Sequence, residues 1–86
     1  MSRIVFHVTY DKQEGRWKVA RGGEETVLAC YGRDVENPKE AAIKKAVALA
    51  RKNLGAGGLS QVVIYNRSGK IHSERTYGYD LREIRS

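Results

Sequence analysis

Alternating apolar and polar residues predict two strands at the start of the chain. The first covers residues 3–10 and places one apolar set on a single face: Ile4, Phe6, Val8 and Tyr10. After a polar loop that ends at Gly15, Trp17 and Val19 alternate with polar or small neighbours in a second strand, so the two strands form a hairpin. Residues 25–31 are rich in β-forming side chains and predict a third strand, although their alternation is less regular.

A helix from Pro38 to Leu54 is predicted by the signals at its two ends. Asn37 suits the N-cap, proline suits the first helical position, Glu40 completes a capping box, and Gly55 follows the last turn. The side of this helix that packs on the sheet is apolar and consists of Ile43, Ala46, Val47, Ala50 and Leu54. The opposite side faces solvent and is basic, with Lys44, Lys45, Arg51 and Lys52.

The segment 61–79 predicts a second hairpin. Asn66 and Gly69 suit a type I turn closed by a bulge, which places Tyr65 opposite Ile71 and fixes the pairs that follow in a regular ladder. The first strand of this hairpin is apolar on both faces, whereas the helix covers only one face of the sheet. We therefore expect a second apolar row on the face without the helix, formed by Val5, Val62 and Ile64.

The order of elements, β-β-(β)-α-β-β, predicts an α+β fold. We expect two layers, an antiparallel sheet of four or five strands and one helix packed on one of its faces. The 86 residues are enough for one domain, which we assign to residues 1–79, followed by a short C-terminal tail at residues 80–86.

Several short motifs occur in a fixed order along the chain. They are F-H-V, then W-K-V after a glycine, the helix KEAAIKKAVALARK, the hairpin VVIYNRSGKI and the ending T-Y-G-Y-D. From Ile4 to Asp80 this series resembles the small prokaryotic family known as domain of unknown function 2188. The chain departs from the shorter pattern of that family at residues 31–36 and in the glycine-rich turn at 55–58. The resemblance implies a ββαββ fold and no settled function, catalytic residue or cofactor.

The formal net charge of +6 is unevenly distributed along the chain. Residues 1–36 contain six basic and six acidic side chains, whereas residues 37–79 contain eight basic and two acidic ones. An excess of positive charge in one half of a small domain favours a polyanionic partner.

Candidate catalytic and metal-binding residues are few. His7, His72 and Cys30 do not have the spacing of a structural zinc site, and nothing in the sequence orients Cys30 and His72 as nucleophile and base. Cys30 is the only cysteine, so it forms no intrachain disulfide, and we expect a half-buried apolar side chain. We expect no enzymatic activity, no cofactor and no small-molecule substrate. Neither a signal peptide nor a membrane span is recognisable, which favours the cytoplasm.

These observations predict a small binding domain. Our first expectation is contact with the phosphates of DNA or RNA, without strong sequence preference. The cations that we assign to this contact are Lys44, Lys45, Arg51, Lys52, Arg67, Lys70 and Arg75. The alternative is a homodimer or another protein–protein contact through Val5, Val62 and Ile64. Tyr77 and Tyr79 either stack on bases or hold the end of the chain against the domain edge.

Overall fold

Five strands and one helix make up the described part of the protein. The structure, a computed structural model, describes residues 3–24, 26–55 and 58–78. The elements are β1 (Arg3–Asp11), β2 (Arg16–Arg21), β3 (Val27–Tyr31), α1 (Pro38–Gly55), β4 (Leu59–Tyr65) and β5 (Ile71–Tyr77). The α+β class and the predicted order of elements, including the third strand, are confirmed. Tyr79 and the predicted tail at 80–86 lie outside the described residues.

The five strands form one sheet in the order β3-β2-β1-β4-β5. Neighbouring strands are antiparallel except for the central pair, β1 and β4, which is parallel. The expectation of a purely antiparallel sheet is therefore wrong at this one pairing. The reason is the helix: α1 crosses over the sheet between β3 and β4, so the chain enters β4 in the same direction as β1.

The core lies between α1 and one face of the sheet. The alternation of the first two strands is confirmed, because Phe6, Val8, Trp17 and Val19 are all buried on this face. From the helix, three alanines spaced one turn apart are fully buried: Ala42, Ala46 and Ala50. Small side chains on this line let the helix backbone lie close to the strands. Ile43 packs at the border of the core.

The β4–β5 hairpin has the predicted turn but not the predicted ladder. The Asn66 amide donates to the Lys70 carbonyl at 2.8 Å, Gly69 has a φ of 87°, and Tyr65 pairs with Ile71 as expected. The register then shifts between Ile64 and Tyr65, so Ile64 pairs with Ser73. A bulge of this kind inserts one residue and turns every later side chain of β5 to the other face.

The expected apolar row on the face without the helix is wrong for two of its three residues. Val62 and Ile64 are 0% and 1% exposed and lie in the core beneath α1. Their place follows from the parallel register, in which Val62 lies beside Phe6 and Ile64 beside Val8. Only Val5 lies on the open face of the sheet, where it is half-buried. The three residues therefore do not form an exposed apolar patch, and the interface that was expected from them is absent.

The end of the helix is tied to the start of β4 by one side chain. Asn53 donates from Nδ2 to the Leu59 carbonyl at 3.1 Å and to the hydroxyl of Ser60 at 2.7 Å. Ser60 is fully buried, so Asn53 satisfies a polar group that water does not reach. A Cβ at Gly58 would lie 2.6 Å from Nδ2 of Asn53, so a larger residue there would have to displace the amide that binds Ser60.

No helix in the described residues is long and apolar enough to cross a membrane.

Candidate nucleic-acid interface

A groove between the helix and the edge strand β5 brings three of the predicted cations together. We call it the α1–β5 groove, and it has a volume of about 380 Å³. Its basic side chains are Lys44, Arg51 and Arg75. The remaining lining residues are Glu40 and three apolar side chains, Ile43, Val47 and Ala48. The groove is therefore apolar along α1 and lined with positive charge from both elements.

The position of Arg75 in this groove depends on the bulge in the β4–β5 ladder. In a ladder without the bulge, Arg75 would lie opposite Gln61 and point to the open face of the sheet. The shifted register places it opposite Val62, on the same side as the helix. The bulge thus adds a guanidinium from β5 to the charges of α1.

Two further cations lie against aromatic rings near the start of the helix. The guanidinium of Arg67 lies 4.9 Å from the ring centroid of Tyr10, and Nζ of Lys39 lies 5.3 Å from the ring of Trp17. Such cation–π contacts hold a charge in place without neutralising it. Both cations line a cavity of about 630 Å³ that shares Glu40 with the α1–β5 groove.

The predicted set of cations is divided by the fold. At 100° per residue, Lys44 and Arg51 lie on the flank of α1 that faces β5, whereas Lys45 and Lys52 lie on the opposite flank. All four are exposed. Lys70 is exposed at the hairpin end beside the turn that carries Arg67. The structure therefore gathers Lys44, Arg51 and Arg75 in one groove, with Arg67 in the adjoining cavity, and leaves Lys45 and Lys52 apart.

Lys39 is the cation that the sequence prediction missed. Lys39 is one of the eight basic residues of the second half, but it was not assigned to the contact. Its position depends on the ring of Trp17 in β2, which is distant in the sequence. Glu40 was predicted as part of the helix start and as one of the two acidic residues of the second half, and it lines both the groove and the cavity. Neither role has a signal in the local sequence.

Ion pairs between described residues lie in the first part of the chain. Lys18 pairs with Asp11 at 2.8 Å and with Glu14 at 3.1 Å, and Arg21 lies 3.7 Å from Glu24. The hydrogen bond from Lys18 lowers the pKa of Asp11, and the same bond raises the pKa of Lys18. Within residues 3–24, 26–55 and 58–78, none of the seven predicted contact cations has a carboxylate within 4.0 Å.

The open face of the sheet is covered in part by its own polar side chains. The imidazole of His7 and the hydroxyl of Tyr65 are hydrogen-bonded at 3.1 Å, and Gln61 donates to Glu74 at 3.0 Å. These pairs flank Val63, which is 5% exposed. The face is thus mixed in polarity and not a continuous apolar patch.

The residues considered for catalysis are far apart. Cys30 lies on β3 and His72 on β5, which are the two opposite edges of the sheet, about 19 Å apart at the usual strand spacing. A cysteine–histidine pair between them is therefore excluded. Cys30 is exposed and not half-buried as expected. Among the described residues, no group of three or more His, Cys, Asp or Glu side chains is placed to hold a metal ion.

Fold and groove together define a small two-layer α+β domain with a basic groove beside its helix. The chain belongs to a bacterial family described as uncharacterised protein conserved in bacteria and designated DUF2188, which matches residues 6–77. No curated protein and no solved structure matches the chain.

Proposed function

We propose that this domain binds nucleic acid through its phosphates, with the α1–β5 groove as the main contact. The observation that carries the proposal is a set of cations that are placed together and have no carboxylate partner among the described residues. Lys39 and Arg67 lie at one end of this set, and Lys44, Arg51 and Arg75 continue it along the helix. From Lys39 to Arg51 the helix rises roughly 18 Å.

Two cations of the first half of the chain are less available to a phosphate than the cations of the groove. Lys18 and Arg21 are engaged with carboxylates, so a phosphate approaching them has to compete with an existing ion pair. Arg51 and Arg75 have no carboxylate within 4.0 Å among the described residues, so a phosphate that approaches them breaks no ion pair there. The release of counterions from the nucleic acid then drives association.

The groove supports contact with the backbone of a nucleic acid better than reading of its bases. Its apolar side chains are aliphatic, Trp17 is 3% exposed, and Tyr77 packs against the core. Bases usually stack on exposed aromatic rings in proteins that bind single strands. The affinity is therefore expected to depend on salt far more than on sequence.

Fluorescence anisotropy with labelled duplex DNA, duplex RNA and single-stranded DNA tests the proposal. We expect binding of at least one duplex at low salt, weakening as salt is added, and little difference between duplexes of unrelated sequence. Failure of all three probes to bind at about 20 mM salt, where phosphate contacts are strongest, would refute it.

A further inference from the structure

The two edges of the sheet are protected to different degrees. β5 has His72, Glu74 and Arg75 along its length, and charged side chains on an edge strand discourage pairing with another chain. β3, with the sequence VLACY, has no charged residue and no proline. Val27 and Leu28 are 42% and 41% exposed, and Cys30 is exposed as well. On its outer side β3 pairs with no strand of the described chain.

We propose that β3 pairs antiparallel with β3 of a second copy of this chain, so that two sheets join into one of ten strands. A second copy of the chain fits this edge because β3 has no charged side chain that would repel its own copy. A chain with a net charge of +6 repels itself, but residues 1–36, which include β3, contain equal numbers of basic and acidic side chains. Two copies that meet at β3 therefore bring no charged side chain of the strands into contact, and the nearest like charges of the second halves are those of Lys45 and Lys52 on α1.

The side chains of β3 also suit pairing with themselves. In a two-fold contact between identical strands, each contact from one copy to the other occurs a second time in the opposite direction. In VLACY every side chain is apolar or weakly polar, so any antiparallel register places such residues opposite one another. The backbone groups on the outer edge gain hydrogen bonds at the same time.

The dimer is expected to be weak. Five strand residues extend only about 17 Å. A contact along so short a strand buries less surface than the roughly 800 Å² per partner of a stable interface. The β2–β3 ladder also has a register shift at Val19 and Ala20, which leaves Leu28 as the extra residue and bends the edge. We expect a dissociation constant on the order of 100 µM.

The dimer would place both helices on the same face of the joined sheet. A two-fold axis between the two β3 strands, perpendicular to the sheet, leaves both copies of α1 on one side. Lys45 and Lys52 lie on the flank of α1 away from β5, so these cations of the two copies approach each other. Added salt is therefore expected to strengthen the dimer, the opposite of its effect on binding to a polyanion.

Sedimentation velocity of the full chain up to about 1 mM tests this inference. The wild type is expected to shift from monomer to dimer, whereas Leu28→Lys and Cys30→Lys, each placing a charge on β3, are expected to remain monomeric. Ile71→Lys is the matched control, because Ile71 is 57% exposed on the other edge strand and its substitution should leave the dimer intact. Far-UV circular dichroism verifies that each variant is folded.

Two outcomes would overturn the inference. One is a wild type that sediments as a monomer at every concentration. The other is loss of the dimer in Ile71→Lys to the same degree as in Leu28→Lys, which would move the contact away from β3. Both measurements are made without nucleic acid, so they are independent of the proposed function.

Discussion

Removal of the two guanidinium groups of the α1–β5 groove is the sharpest perturbation of the proposed function. Arg51→Gln combined with Arg75→Gln removes two charges from opposite walls of the groove, one from the helix and one from β5. Both side chains are exposed, so the variant is expected to fold. The matched control is Lys45→Gln combined with Lys52→Gln, which removes the same net charge from the other flank of α1.

The size of the effect follows from the number of phosphate contacts. Each contact with duplex DNA contributes about 0.9 to the slope of log affinity against log salt. Five cations, namely Lys39, Lys44, Arg51, Arg67 and Arg75, predict a slope of about −4.5, which falls to about −2.7 in the groove variant. At about 0.1 M salt the loss of two contacts corresponds to roughly 60-fold weaker binding. The control variant is expected to lose only a fewfold in affinity, and its slope should be nearly unchanged.

Anisotropy titrations of both variants at four salt concentrations measure the two slopes. Protein concentrations in the low micromolar range are far below the dissociation constant expected for the β3 dimer, so the chain stays monomeric in this assay. If the groove variant and the control variant lose affinity and slope equally, binding follows net charge alone. The assignment to the α1–β5 groove would then be wrong.

Three further predictions concern single side chains. Glu40→Gln should raise the affinity for duplex DNA about two- to fivefold at low salt, because it removes a carboxylate that lines the groove; unchanged or weaker binding in the anisotropy assay would argue against contact there. Asn53→Ala should lower the free energy of unfolding by about 1–3 kcal/mol, because it leaves the buried Ser60 hydroxyl without its donor; urea denaturation measures this, and an unchanged midpoint would contradict it. Asp11→Asn should be less stable than the wild type near neutral pH and equal to it in strong acid. The hydrogen bond from Lys18 lowers the pKa of Asp11 in the folded state, so the stabilisation is present above its ordinary pKa of 3.8 and is lost as the pH falls through the folded value. Thermal melts at several pH values follow the difference, which should shrink, not grow, on acidification.

Local signals were enough to predict the elements of this fold. The N-cap and proline at the start of α1, the alternation in β1 and β2, and the turn at Asn66 and Gly69 all act over a few residues, and each is found in the structure. Pairing between distant strands has no comparable signal. The parallel neighbour of β1 was missed for this reason, and it decides that Val62 and Ile64 belong to the core.

The candidate site was predicted in its composition but not in its arrangement. Helical periodicity shows which side chains point away from the core, and it grouped Lys44 and Arg51 with Lys45 and Lys52. It does not show which strand lies beside each flank of the helix. That information comes from the sheet order and from the bulge that turns Arg75 toward α1, and neither is written in a short stretch of sequence.

Mapping of the contact by nuclear magnetic resonance tests the central claim most directly. A ¹⁵N-labelled chain is titrated at low salt with a short duplex DNA and, separately, with a short duplex RNA, and the shift of each backbone amide is followed. The proposal predicts that the largest changes lie along the β5 flank of α1, around Lys44 and Arg51, and on β5 around Arg75, and that they disappear when salt is raised. Changes confined to the open face of the sheet around His7 and Val63, or no changes at low salt with either duplex, would contradict it.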